Sequence, residues 1–109
     1  MPKLNFTNAS ALTPNQDGTA VIFTYQVDGS ANNHTIHLVG ADNLPDANEA
    51  AQNDYTQFLF AGALFVIETN WDSHKQLPDE KKEYRQSDDF PVEDLTKIPW
   101  QGYELVLPD

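Results

Sequence analysis

The chain has no cysteine among its 109 residues. It can form neither a disulfide nor a thiolate nucleophile, which is typical of proteins in a reducing compartment. Its longest apolar run, residues 58–67, covers 10 positions, whereas a helix that spans a membrane needs about 20. The first residues contain one lysine and lack the apolar stretch of a secretory signal. We therefore expect a cytoplasmic protein without a membrane segment.

Basic residues are also scarce, because 6 Lys and Arg stand against 17 Asp and Glu, a net charge of −11. Residues 1–41 carry one lysine and two aspartates, whereas residues 42–109 carry five bases and 15 acids. A field of this sign repels nucleic acid and anionic lipid, so we expect no direct binding to either. It would suit an acidic inhibitor or nucleic-acid mimic that occupies a basic groove on a protein target. The carboxylates assigned to such a surface are Asp88, Asp89, Glu93 and Asp94.

Sequence patterns of catalysis and metal binding are missing as well. The five glycines occur singly, so no glycine-rich phosphate loop is present. His34 and His37 lie three apart on a predicted strand, which points them to opposite faces and prevents joint chelation. The triplet of residues 72–74, Asp-Ser-His, does not make a catalytic triad by sequence adjacency alone. We predict no catalytic residue, no metal and no cofactor, and we expect the histidines to face solvent.

Alternating apolar residues predict four strands. They lie around Leu4 and Phe6 and over residues 19–27, 34–39 and 103–107. The longest of them places Val21, Phe23, Tyr25 and Val27 on one face. Residues 13–18, which include Pro14 and Asp17-Gly18, predict a turn instead.

One long helix is predicted between the third and fourth strands, over residues 46–69. Asp46 followed by Glu49 is an N-cap signature, and apolar residues then recur every three or four positions. Gly62 could break this helix, and an alternative interpretation ends it near Gln57 and makes residues 58–69 a strand. A short helix is predicted over residues 91–97, and the polar, aperiodic residues 74–90 are expected to be the most mobile part.

These elements predict a single α+β domain over residues 1–109. We expect an antiparallel sheet of three to four strands with one long helix packed on one face. The expected order is β-β-β-α-(short α)-β.

The second half of the helix is apolar nearly all round, which an exposed surface helix cannot be. Phe60, Leu64 and Ile67 form a second apolar face beside the main stripe. The cover for this face could be residues 70–100 folded back, a second copy of the chain or a bound ligand. We predict self-association through these three residues and hence a homodimer.

Two tryptophans, Trp71 and Trp100, stand at the ends of predicted elements and are candidate anchors for a partner. The leading functional hypothesis is a non-enzymatic, self-associating interaction domain with an unknown protein partner. The acidic inhibitor is one alternative. A small-ligand binder or enzyme with a pocket between helix and sheet is another, and it requires unfilled volume beside Gly62.

Overall fold

The computed structural model of the chain describes residues 2–16, 18–41, 49–78, 81–86, 88–90 and 97–107. Within these ranges one helix packs on a sheet of six strands, which confirms the predicted α+β class. The elements follow in the order β1 (Lys3–Ala9), β2 (Thr13–Asn15), β3 (Gly18–Val27), β4 (His34–Gly40), α1 (Glu49–His74), β5 (Glu83–Arg85) and β6 (Glu104–Val106).

The sheet is mixed, which corrects the predicted antiparallel sheet of three to four strands. Its order is β5-β4-β3-β1-β6, with β2 paired to β3. All pairs are antiparallel except β4 and β5, which run parallel. Parallel pairing follows from the connection, because α1 crosses over between the two strands and returns the chain in the same direction. The two strands that were missed have three residues each, too few to show a period of two.

Strand β3 forms the centre of the sheet, and its predicted alternation is confirmed. Val21, Phe23 and Tyr25 are at most 1 % exposed and face the helix. Leu4 on β1 and Ile36 on β4 are buried beside them. The core therefore combines residues from distant parts of the chain on one face of the sheet.

The stretch predicted as a turn over residues 13–18 is partly a strand. Residues Thr13–Asn15 form β2 and pair with the beginning of β3. Gly18 has a φ of 145°, and a Cβ atom there would collide with the carbonyl oxygen of Gly40 on β4. The turn signal was real, but it marks the end of β2 and the close approach at Gly18.

Helix α1 continues through residues 58–69, so the alternative of a strand in this region is wrong. The helix does not break at Gly62. It departs from helical geometry at Asn70, where φ is −134° and ψ is 29°. The Thr69 hydroxyl donates to the carbonyl oxygens of Phe65 at 2.8 Å and Val66 at 3.3 Å, a type of bond that bends helices. The predicted N-cap Asp46 and residues 91–96 of the predicted short helix lie outside the described residues.

Two parts of the chain cover the apolar second half of α1. The sheet side buries Phe60, whose ring centroid lies 4.8 Å from Phe6, 5.1 Å from Phe23 and 5.3 Å from Tyr103. On the other side, the ring of Phe90 lies so close to Gly62 that an added Cβ would be 2.7 Å from it. Of the three covers considered for this helix, the structure shows the segment after the helix folding back. Among the described residues, the Phe90 ring occupies the space that a side chain at position 62 would fill.

The helix found in the described residues is not long and apolar enough to cross a membrane.

Candidate ligand-binding site

The kink at Asn70 precedes a last helical turn that brings His74 into the core. His74 is fully buried, which corrects the expectation that the histidines face solvent. Its Nε2 lies 2.9 Å from the hydroxyl of Tyr25 on β3, and its Nδ1 lies 2.8 Å from the hydroxyl of Tyr84 on β5. The imidazole therefore joins the end of the helix to two strands of the sheet.

The protonation of this chain of hydrogen bonds follows from the chemistry of its members. A neutral imidazole carries one hydrogen, so one phenol donates to the ring and the other accepts from it. Burial raises the pKa of the Tyr84 phenol above its ordinary value, and the nearby Asp89 carboxylate raises it further. Tyr84 therefore remains a protonated phenol at neutral pH and can act as either the donor or the acceptor of this hydrogen bond.

His74 is not placed to act as a general acid or base. Both ring nitrogens already have a phenol as a partner, and the side chain has no exposed surface. A catalytic group must come within hydrogen-bond reach of the reacting atom. We therefore assign His74 a positioning role for the residues around it.

A cleft of about 200 Å³ lies beside this network, between the C-terminal end of α1 and the strands β3 and β4. Its described lining consists of Tyr25, Val27, His34, Trp71, Lys75 and Lys82. His34 stacks on Tyr25 with 5.6 Å between the ring centroids. Lys82 is 2 % exposed, and its Nζ lies 5.9 Å from the centre of the Tyr25 ring, within the range of a cation–π contact.

The described lining of this cleft contains basic side chains, whereas the chain as a whole is acidic. It takes two of the 6 Lys and Arg residues of a protein with a net charge of −11. None of the described residues that line it is acidic. The Lys75 ammonium lies 3.2 Å from Asp72 on the helix surface. Exposed ion pairs of this kind contribute about 1 kcal/mol or less, so the ammonium can exchange Asp72 for a ligand.

The three residues predicted to mediate self-association lie in the core of the single chain. Phe60 and Ile67 have no exposed surface, and Leu64 is 3 % exposed. The sheet and the neighbouring loops already remove them from water, so the physical reason for placing a second copy there disappears. Self-association of the chain stays a prediction.

The two tryptophans predicted as anchors line different clefts. Trp71 is half-buried and forms a wall of the cleft beside Lys75. Trp100 is also half-buried and lines a separate cleft of about 240 Å³ that includes Ser10 and Asn53. That Trp71 and Trp100 anchor a partner stays a prediction.

The predicted acidic surface is described only in part. Asp88 is exposed. Asp89 accepts a hydrogen bond through Oδ2 from the backbone N–H of Arg85 at 2.8 Å, so its carboxylate stabilises a turn. Glu93 and Asp94 lie outside the described residues. The acidic inhibitor stays a prediction.

Sequence reasoning missed most of the basic side of this site. His74 and Lys82 lie in or beside a polar, aperiodic stretch where no pattern indicates burial. Tyr25 carried the one usable signal. A tyrosine on the buried face of a strand normally needs a partner for its hydroxyl, and this requirement predicts a polar residue nearby without identifying it.

The described residues contain no group of three or more His, Cys, Asp or Glu side chains that could hold a metal ion. Comparison with protein-family models, with curated proteins and with solved structures finds no match to this chain.

Proposed function

We propose that the protein is a non-enzymatic binding protein that holds a small anionic ligand in the cleft at the C-terminal end of α1. One observation carries this proposal. Lys75, Lys82 and His34 converge on a cleft whose described lining has no acid, in a chain that is otherwise strongly acidic. The ammonium groups of Lys75 and Lys82 at one cleft attract an anion, which favours an anionic occupant.

The size of the cleft limits the ligand. Pockets that enclose drug-sized molecules measure roughly 300 to 1,000 Å³, whereas this cleft measures about 200 Å³. A small organic anion fits this volume. A folded partner could insert only one side chain or a terminal group.

The surroundings of the cleft support preorganised binding. Tyr25 is 1 % exposed and is fixed by His74, while β3 and β4 hold Tyr25 and His34 in register as directly paired residues. Rigid elements reduce the conformational entropy that the site loses when a ligand binds. The exposed Lys75 is the adaptable member of the site.

An NMR titration at low ionic strength tests this function. Acetate, benzoate and inorganic phosphate are added to the ¹⁵N-labelled protein, with acetamide and benzamide as uncharged counterparts. At least one anion should shift the amide resonances of His34, Lys75 and Lys82 saturably, and its uncharged counterpart should not. The Lys75→Gln variant should weaken this binding by about tenfold, since hydrogen bonds to charged groups are worth about 1.5 kcal/mol or more.

Lys3→Gln is the matched control. Lys3 is also a surface lysine in an ion pair, 3.6 Å from Glu104, but it does not line the cleft. Its loss should leave anion binding unchanged. Equal weakening by both variants would show that the effect comes from the overall charge of the protein, and it would overturn the proposal. The proposal would also be overturned if none of the three anions shifted the resonances of the cleft residues.

This proposal develops the small-ligand alternative of the sequence analysis and moves its pocket away from Gly62. We keep the cytoplasm as the predicted compartment, because a chain without cysteine has no need of an oxidising environment. A protein partner and a homodimer also stay predictions.

A further inference from the structure

We infer that the edge strand β6 pairs with the same strand of a second copy of this chain. β6 (Glu104–Val106) ends the strand order of the sheet, and among the described residues it pairs only with β1. The edge of a sheet carries backbone groups that another strand can bind. No described residue that lines the cleft beside α1 belongs to β6, so this inference does not depend on anion binding.

The backbone hydrogen bonds around β6 show which of its groups point away from the sheet. The carbonyl oxygen of Tyr103 accepts a bond of 2.9 Å from the Phe6 amide on β1, and the Leu107 amide donates at 2.9 Å to the residue before β1. Successive residues of a strand direct their backbone groups to opposite sides in the plane of the sheet. Every second residue from Tyr103 therefore faces β1, and the N–H and C=O groups of Glu104 and Val106 point outward.

The side chains at this edge are compatible with a second acidic copy. Val106 is the most exposed large hydrophobic residue among those described, at 48 %. It is paired with Lys3 across the two strands, as Glu104 is with Asn5. The Lys3 ammonium lies 3.6 Å from the Glu104 carboxylate, so these four side chains have no net charge in a chain of net charge −11. The repulsion between two copies is therefore weakened at this edge, and salt screens the remainder.

A twofold axis beside Leu105 satisfies the outward groups of both strands. It places Glu104 of each copy opposite Val106 of the other, and each such antiparallel pair exchanges two N–H···O=C bonds. A register that sets Glu104 opposite Glu104 would bring like charges together. A register that sets Val106 opposite Val106 would pair Glu104 with Pro108, which has no N–H to donate. The chemistry of the strand thus selects one register and a second copy as the partner that completes it.

Hydrogen exchange measured by NMR at two protein concentrations tests this pairing. The β6 strand has three residues, so the contact belongs among the weak and transient interfaces. Samples at about 50 µM and about 1 mM, both in about 0.3 M salt, cover weak dissociation constants and screen the acidic copies from each other. The Leu105 and Leu107 amides face β1 and should exchange slowly in both samples. The Glu104 and Val106 amides should exchange at least about twofold more slowly in the concentrated sample.

Two variants at one position provide the matched comparison, with sedimentation as the readout. Val106→Pro removes the outward N–H, and proline is tolerated on an edge strand where this group would face solvent. The variant should lose association. Val106→Thr keeps both the N–H and a β-branched side chain, and it should retain association.

The outcomes separate this contact from any other. A dimer with slowed exchange at Glu104 and Val106, lost in Val106→Pro and kept in Val106→Thr, supports the pairing. A chain that stays monomeric at about 1 mM overturns it. A dimer in which these two amides exchange equally at both concentrations also overturns it, because the copies then meet elsewhere. The measurements on the unmodified chain stay decisive even when the Val106→Pro chain is unstable.

Discussion

The hydroxyl of Tyr25 lies 2.9 Å from Nε2 of His74, although 49 positions separate the two residues in the chain. Tyr25 stands on the central strand and His74 ends the helix, so this bond fixes the position of the helix end over the sheet. Both groups are buried, and neither could remain there at low cost without a polar partner.

Replacement of His74 by leucine should therefore destabilise the protein. The change leaves the Tyr25 hydroxyl without its His74 partner in the core, which costs about 1–3 kcal/mol. The Tyr25→Phe/His74→Leu double variant should recover part of this loss, because the Tyr25 hydroxyl is then absent from the core as well. Urea unfolding measures both. His37 lies on the opposite face of β4 from the helix and is half-buried. A loss as large in His37→Leu would show that the Tyr25 bond is not the cause.

Replacement of Gly62 by alanine should change the stability in the opposite direction from the same replacement at an ordinary helical glycine. Alanine in place of glycine within a helix usually stabilises by about 1 kcal/mol. Here the added Cβ would lie 2.7 Å from the Phe90 ring, so Gly62→Ala should destabilise the chain. In a Phe90→Ala background the ring is absent, and the same change should stabilise it. Thermal unfolding of the four proteins provides the comparison, and a stabilising effect in both backgrounds would refute the contact.

Leu64 and Phe65 are adjacent on α1 but differ in burial, with relative exposures of 3 % and 37 %. Leu64→Glu places a carboxylate in the core at a cost of several kcal/mol, which a domain stable by about 5–15 kcal/mol can barely tolerate. We expect this variant to be unfolded or nearly so. Phe65→Glu should retain the fold. Circular dichroism distinguishes the two, and a well-folded Leu64→Glu chain would restore the hypothesis of a self-association face.

Stability should fall at alkaline pH in part through Tyr84. The pKa of its phenol lies above the ordinary value of 10.0 in the folded protein. The unfolded chain therefore loses this proton at a lower pH than the folded protein does. The stability that Tyr84 contributes is fully present below about pH 10 and is lost as pH rises through the pKa of the folded state. Tyr84→Phe should show a shallower loss of stability above pH 10. Absorbance of ionised tyrosine should lose a component that titrates above pH 10 in this variant, and an unchanged titration curve would contradict the assignment.

Hydrogen exchange should be slow at β5, within residues that the sequence predicts to be mobile. The Gln86 amide donates to the carbonyl oxygen of Val39 at 2.9 Å, and the His37 amide donates to that of Lys82 at 2.8 Å. Amides in such ladders exchange only when the structure opens. Protection at Gln86 well above that of the exposed loop at residues 29–33 is the expected result. Equal exchange in the two regions would mean that β5 is not stably paired.

The sequence by itself determined the elements whose apolar pattern repeats several times. The alternation in residues 19–27 and 34–39 and the three- to four-residue spacing in residues 49–69 each repeat often enough to identify a strand or a helix. These patterns record which side of an element leaves water, and that choice is made locally. The buried face of β3 and the helical state of residues 58–69 could therefore be predicted.

The tertiary structure decided what each buried face meets. β5 is polar and three residues long, so it becomes a strand only because α1 returns the chain beside β4. Phe90 occupies the space beside Gly62, where the sequence analysis placed a ligand pocket. Phe60 is enclosed by the rings of Phe6, Phe23 and Tyr103, which removes the reason for a second copy there. His74 is buried because two tyrosines from distant strands supply partners for its nitrogens. Such pairings depend on positions far apart in the chain, and no local period in the sequence encodes them.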